Sequence, residues 1–129
     1  MREICVILDT NFLMIPETHN VDIFKELDRI LDKKYELVVP EVVIGELNHL
    51  KEEGSASEKR AANIALQIAD KAKRISSKKS ADEEIINLAQ EKKCVVGTND
   101  KRLKKRLRKK GIPVIYLRQK SHLDIKGVI

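Results

Sequence analysis

Ile4-Cys5-Val6-Ile7-Leu8 is an unbroken apolar run of strand length, rich in β-branched residues and closed by Asp9. Such a run fits a parallel strand buried on both faces. An aspartate at its end must be paired, or face a crevice, because an isolated buried carboxylate is too costly to keep charged. The same arrangement recurs later in the chain, where Cys94-Val95-Val96 leads through Gly97-Thr98-Asn99 to Asp100. In an open parallel sheet, ligands gather beyond the carboxyl ends of the strands. Asp9 and Asp100 are therefore expected to face one crevice.

Between and after these runs the pattern alternates. Residues 3 to 9 read as the first strand, and residues 21 to 31 as a helix with Ile23, Phe24, Leu27, Ile30 and Leu31 at helical spacing. Residues 35 to 39 read as the second strand, with Pro40 in the first turn of a helix to about Lys51 that Gly54 helps end. Ser55 and Glu58 have capping-box spacing and open a helix predicted to reach Ile75; Ser80 and Glu83 repeat the signature before a helix to Lys92. Residues 94 to 97 form the third predicted strand, residues 101 to 110 a basic helix stopped at Gly111, and residues 113 to 117 a fourth strand. A short edge strand around residues 123 to 125 completes the reading. Alternation of this kind implies an α/β fold with a central parallel sheet covered on both faces. At 129 residues the chain is expected to form one domain, residues 1–129.

No apolar stretch approaches the roughly 18 residues that span a bilayer, and the first strand begins without a signal-like region. A cytoplasmic location with no membrane contact is expected. Cys5 and Cys94 lie inside apolar runs and are read as buried thiols. A disulfide between neighbouring strands is the alternative if the Lys/Glu-rich composition reflects a hyperthermophile.

The net charge of +6 conceals a division. Residues 1–100 carry 15 Lys and Arg against 19 Asp and Glu, whereas residues 101–129 carry 11 against one. From Lys101 to Lys120 there are ten basic residues and no acid, a density suited to a polyphosphate partner. Leu103 and Leu107 point inward, leaving Lys104, Lys105, Arg106, Arg108 and Lys109 largely outward. Four Phe and Tyr residues and no Trp are too few for a base-stacking platform, so nucleic acid should be held mainly by its backbone.

Two further acids join Asp9 and Asp100 in the expected crevice: Glu46, and Asp82 at a predicted helix start. Each alone has an ordinary explanation as a solvated residue, a cap or a partner for a helix dipole. Together they form a hard oxygen ligand set without histidine or thiolate, which points to Mg²⁺ or Mn²⁺. Such ions suit phosphodiester hydrolysis. The chain lacks both a G-x-x-x-x-G-K-[ST] loop and a G-x-G-x-x-G motif. His19, His49 and His122 are isolated, and Glu46 with His49 is weak evidence for a di-iron site.

Taken in order, Ile7-Leu8-Asp9-Thr10-Asn11-Phe12-Leu13, Val38-Val39-Pro40 leading to Gly45-Glu46-Leu47, Ser80-Ala81-Asp82, Thr98-Asn99-Asp100-Lys101-Arg102-Leu103 and Gly111-Ile112-Pro113-Val114-Ile115-Tyr116 resemble a PIN-domain nuclease over nearly the whole chain. The stretch from Thr98 to Tyr116 is most similar to the Fcf1-like branch, associated with ribosomal RNA processing; VapC-like toxins are the next closest. The resemblance implies a three-layer α/β/α sandwich, with Asp9, Glu46, Asp82 and Asp100 as catalytic, metal-binding acids. Thr98 and Asn11 resemble the family's supporting polar positions. Lys101, Lys104, Lys105, Arg108 and Lys109 are the expected RNA contacts. The family's fuller Fcf1-like members carry a Cys- and His-rich segment where this chain has Ser76-Ser77-Lys78-Lys79, so no zinc-stabilised extension is expected. The implied activity is that of an Mg²⁺/Mn²⁺-dependent endoribonuclease. A toxin restrained by an antitoxin and an RNA-binding assembly factor without turnover remain alternatives. RNA, and a ribonucleoprotein or antitoxin, are the implied partners, with the oligomeric state left open, a homodimer included.

Overall fold

A computed structural model describes residues 3–76 and 79–129; Ser77 and Lys78 of the Ser76-Ser77-Lys78-Lys79 segment lie outside the described residues. In chain order the elements are β1 (Ile4–Leu8), α1 (Thr10–Leu13), α2 (Ile15–His19), α3 (Ile23–Ile30), β2 (Tyr35–Pro40), α4 (Glu41–Glu53), α5 (Ala56–Ala69), β3 (Lys73–Ile75), α6 (Ala81–Lys92), β4 (Val95–Gly97), α7 (Lys101–Lys109), β5 (Val114–Arg118) and β6 (His122–Lys126). The strands form one sheet in the order β3-β2-β1-β4-β5-β6. After β1 the chain builds outward through β2 and β3, then returns through α6 to the other side of β1. The gap between the ends of β1 and β4 is thus a topological switch point, where α/β sheets place their ligands.

Alternate residues of the strands feed two cores. Val6 and Leu8 of β1, Leu37 and Val39 of β2, Val95 of β4 and Ile115 of β5 pack with α1, α3, α4 and α5. Ile7, Val38, Val96 and Val114 face the other way, against α6 and α7. This period-two division produces the α/β/α sandwich. Gly97 lies at a close approach within the first layer: a Cβ there would stand 3.1 Å from both the Leu8 side chain and the Phe12 ring.

The sheet is mixed, not wholly parallel, because β6 runs antiparallel to β5. Three residues separate Arg118 from its partner His122, too few for the crossover that a parallel neighbour requires. Gln119 and Lys120 turn the chain with φ of 54° and 57°. The helix expected to reach Ile75 stops at Ala69, and Lys73–Ile75 pairs parallel to β2 instead. This edge strand, with its exposed Lys73 and Arg74, has no alternating apolar pattern to announce it. The short helices α1 and α2 were not anticipated either. Pro40 ends β2 and occupies the N-cap of α4, just outside its first turn.

Ser55 and Glu58 form the expected reciprocal capping box. Ser80 is the N-cap of α6 but its side chain makes no capping hydrogen bond. Glu83 instead accepts a 2.8 Å hydrogen bond from Arg106, tying α6 to α7. Among the described residues no helix is long and apolar enough to cross a membrane.

The cysteines are not free thiols: Cys5 and Cys94 form a disulfide. The register explains it, since Val6 pairs with Val95 and the preceding residues therefore face each other across β1 and β4, with Cα atoms 4.7 Å apart. The bridge joins residues 89 positions apart in the sequence. In the chain-entropy account, closing a loop this long restricts the unfolded state strongly. Replacing both cysteines with serine is expected to lower unfolding stability by about 2–5 kcal/mol, measured by denaturant titration without reductant. An unchanged midpoint would contradict this role.

Candidate active site

The pairing of β1 with β4 brings together two acids far apart in sequence. The Asp9 N–H donates to the Gly97 carbonyl at 3.0 Å, extending the ladder by one residue. Only 6% of Asp9 is exposed. Its Oδ1 accepts the Thr10 N–H at 2.7 Å, and its Oδ2 accepts the hydroxyl of the fully buried Thr98 at 2.8 Å. The same Thr98 oxygen accepts the Asp100 N–H at 3.1 Å. One hydroxyl therefore spans the two strand ends. Asp100 is held in turn as the N-cap of α7, its Oδ1 accepting from the N–H groups of Arg102 and Leu103 at 2.9 and 3.1 Å.

Glu46 arrives from the exposed face of α4 and accepts the Thr10 hydroxyl at 2.9 Å. Thr10 is thus a site residue on both counts, its N–H on Asp9 and its hydroxyl on Glu46. Sequence reasoning passed over it although it adjoins Asp9. Asp82, half-buried, comes from the first turn of α6. All four acids line one cavity of about 630 Å³, together with Thr10, Asn11 and His49. Asn11 is exposed there, and no Lys or Arg is among the lining residues. Among the described residues, however, no three His, Cys, Asp or Glu side chains stand together as a preformed metal cage. The acids share a cavity without closing on a point.

The electrostatics follow from this geometry. Burial pushes the Asp9 carboxyl above its ordinary value of 3.8, and the charges of Asp82 and Glu46 push it in the same direction. The hydrogen bonds from Thr98 and Thr10 oppose them without cancelling the rise.

The basic helix borders this acidic cavity. Lys101, Lys105 and Lys109 are exposed. The Lys104 ammonium lies over the Tyr116 ring, 3.4 Å from its centroid, and Arg108 donates to the Ile112 carbonyl at 3.0 Å.

Residues 6–120 match the family described as PIN like domain. The chain is 35% identical over 128 residues to Ribonuclease VapC4 of Methanocaldococcus jannaschii, covering 96% of this chain and 98% of that protein. It is 28% identical over 122 residues to Ribonuclease VapC9 of Archaeoglobus fulgidus, covering 95% and 89%. Among solved structures, the PIN domain endonuclease Utp24 matches with a TM-score of 0.78 at 30% identity, covering 97% of this chain and 92% of that one. A domain of a functionally unknown protein from M. jannaschii shares the fold, with a TM-score of 0.64 at 17% identity over 97% of this chain and 98% of that one.

A carboxyl whose folded-state value is raised contributes most stability where it is protonated in both states, below 3.8, and loses it as pH rises through the folded value. Asp9→Asn removes that loss. In chelator near neutral pH the variant is expected to melt above the parent, with the difference shrinking towards acid. A variant that melts lower near neutrality would contradict the balance derived for Asp9.

Proposed function

Because the chain belongs to the PIN-like domain family, we propose that it acts, as a single domain over residues 1–129, as an endoribonuclease that hydrolyses RNA phosphodiester bonds with Mg²⁺ or Mn²⁺. The observation that carries this reading is the shared cavity: four acids from four separate chain segments, with no Lys or Arg among its lining residues. Gathered carboxylates repel, and although burial is what chiefly raises Asp9, the charges of Asp82 and Glu46 add to the rise. A hard divalent cation relieves that repulsion, and the all-oxygen donor set fits Mg²⁺ or Mn²⁺.

Asp9, Glu46, Asp82 and Asp100 would hold the ion. Such an ion supplies positive charge against the charge developing on a phosphate and makes water more acidic. The chain's own contribution is orientation. Thr98 fixes one Asp9 oxygen and the Asp100 backbone, Thr10 fixes the other Asp9 oxygen and Glu46, and the first turn of α7 aims Asp100. Asn11 supports from the exposed rim. Lys101, Lys104, Lys105, Arg108 and Lys109 meet the RNA backbone, which carries affinity but little sequence information.

The likeness of residues 98–116 to the Fcf1-like branch and the Utp24 match support a processing nuclease whose RNA is presented by a ribonucleoprotein. A second reading, a toxin held by an antitoxin, is favoured by the names of the two ribonuclease relatives.

Asp82→Asn and Asp100→Asn are expected to fold and to cut structured and single-stranded RNAs at least about a hundredfold more slowly with Mn²⁺, since each removes a few kcal/mol of charge stabilisation. Parent-like rates in both would remove these acids from the mechanism. Soluble, metal-binding parent protein should be tolerated by a bacterial host. Growth arrest relieved by Asp9→Asn and by a small co-expressed neighbour would promote the toxin reading.

A further inference from the structure

A second cavity, of about 420 Å³, is lined by the chain neighbours of a residue that lines the acidic one. Asp100 lines the first, whereas its chain neighbours Asn99 and Lys101 line the second, along with His19, Lys104, Tyr116 and Arg118. No acidic residue is among the lining residues of the second cavity. From acid to base, the change of sign takes one residue.

The cavity is built from ordered parts. The Asn99 side-chain oxygen accepts the Leu117 N–H at 2.9 Å, tying the segment before Asp100 to β5. Tyr116, on the same strand, carries the half-buried Lys104 ammonium on its ring. Arg118 is positioned by Asp124, its 2.7 Å partner across the β5–β6 hairpin. Lys104 is crowded by like charge: burial lowers its affinity for a proton, and Lys126 and Lys101 lower it further. An anion in the cavity would relieve the crowding, just as a cation would relieve the crevice beside it.

We propose that this second cavity is a nucleotide subsite, which holds the phosphodiester backbone of single-stranded RNA next to the segment being cut. Lys101, Lys104 and Arg118 contact phosphate, and Tyr116 fixes Lys104. The inference rests on the endoribonuclease reading and refines it, because Arg118 and Tyr116 lie on β5, outside the helix to which the sequence confines phosphate contact. Its volume is within the range of small-ligand sites. An acidic peptide would also match the charge. RNA is the better match because Asn99 and Lys101, which line this cavity, flank Asp100, which lines the acidic one, as a chain that is gripped at one phosphate and cut at the next requires.

The test is binding of a short labelled oligouridylate to the full chain in excess chelator, which reads affinity without cutting. Lys101→Gln with Arg118→Gln is expected to weaken binding about tenfold and to reduce the slope of log K against log salt by about 1.4, at 0.7 for each lost single-strand phosphate contact. Lys101→Arg with Arg118→Lys should restore both. Lys33→Gln with Lys34→Gln, exposed at the opposite end of the sheet, should leave both unchanged. Melting curves of all variants exclude unfolding as the cause. If the parent binds RNA and the first double variant keeps its affinity and slope, the subsite is overturned while the nuclease reading stands. If the parent binds no RNA, both fall. Tighter binding of polyglutamate than of oligouridylate would overturn the subsite in favour of a protein partner.

Discussion

The parallel pairing of β1 with β4 is the constraint on which the rest of the molecule depends. Three register pairs, Val6 with Val95, Ile7 with Val96 and Leu8 with Gly97, set the two strands side by side over a sequence separation of nearly ninety residues. The Cys5–Cys94 disulfide fixes one end of that pair, and the Asp9–Thr98–Asp100 hydrogen bonds fix the other. Slipping the register by one residue would turn the side chains of one of the two strands, Ile7 or Val96 among them, towards the wrong core and separate Thr98 from Asp9. Core packing and the geometry of the acids are therefore a single requirement. The bare α-carbon of Gly97 belongs to it as well, since Leu8 and Phe12 fill the space that a side chain would need.

Charge is distributed so that the two halves of the proposed reaction meet at one turn. The acids gather where β1 and β4 end, with Glu46 and Asp82 brought in by α4 and α6. The bases begin at the next residue and continue along α7. Each group is unfavourable on its own: burial and neighbouring charge raise Asp9, while burial and neighbouring charge weaken protonation of Lys104. Unfavourable charge that is supported by a rigid surround is a common mark of sites that bind an ion or a charged ligand. Thr98 is the least exposed member of this arrangement and the one that touches both acids' segments, so its hydroxyl sets the spacing on which they act.

The strands at the centre of the sheet were legible because they are buried on both faces and leave continuous apolar runs. Asp9 and Asp100 were legible because each ends such a run or follows it closely. Lys73–Ile75 was not, because an edge strand paired on one side carries exposed charge and needs no alternation. The reversed direction of β6 followed from a short turn with two left-handed residues, neither of them the glycine or asparagine that usually announces one. The disulfide is only an alternative in the sequence because its evidence is register, which a single sequence does not display. Thr10 is not legible for a related reason: its role depends on Glu46 lying within hydrogen-bond reach, 36 positions away. Glu46 and Asp82 are placed in the crevice by their positions in the alternating pattern, and the structure lines one cavity with them and Asp9, although the side chains do not close into a cage.

The central claim is that the acidic crevice works as a divalent-cation site for RNA cleavage. The most direct measurement is the initial rate of cleavage of a labelled structured RNA by the purified chain, titrated with Mn²⁺ from a chelated start, beside the melting temperature over the same titration. The account requires no cleavage in chelator, a rate that rises and saturates with Mn²⁺, and a melting temperature that rises over the same concentration range, reaching about 2.7 kcal/mol of added stability at one hundred times Kd. Cleavage that persists undiminished in chelator, with a melting temperature indifferent to Mn²⁺, would contradict it.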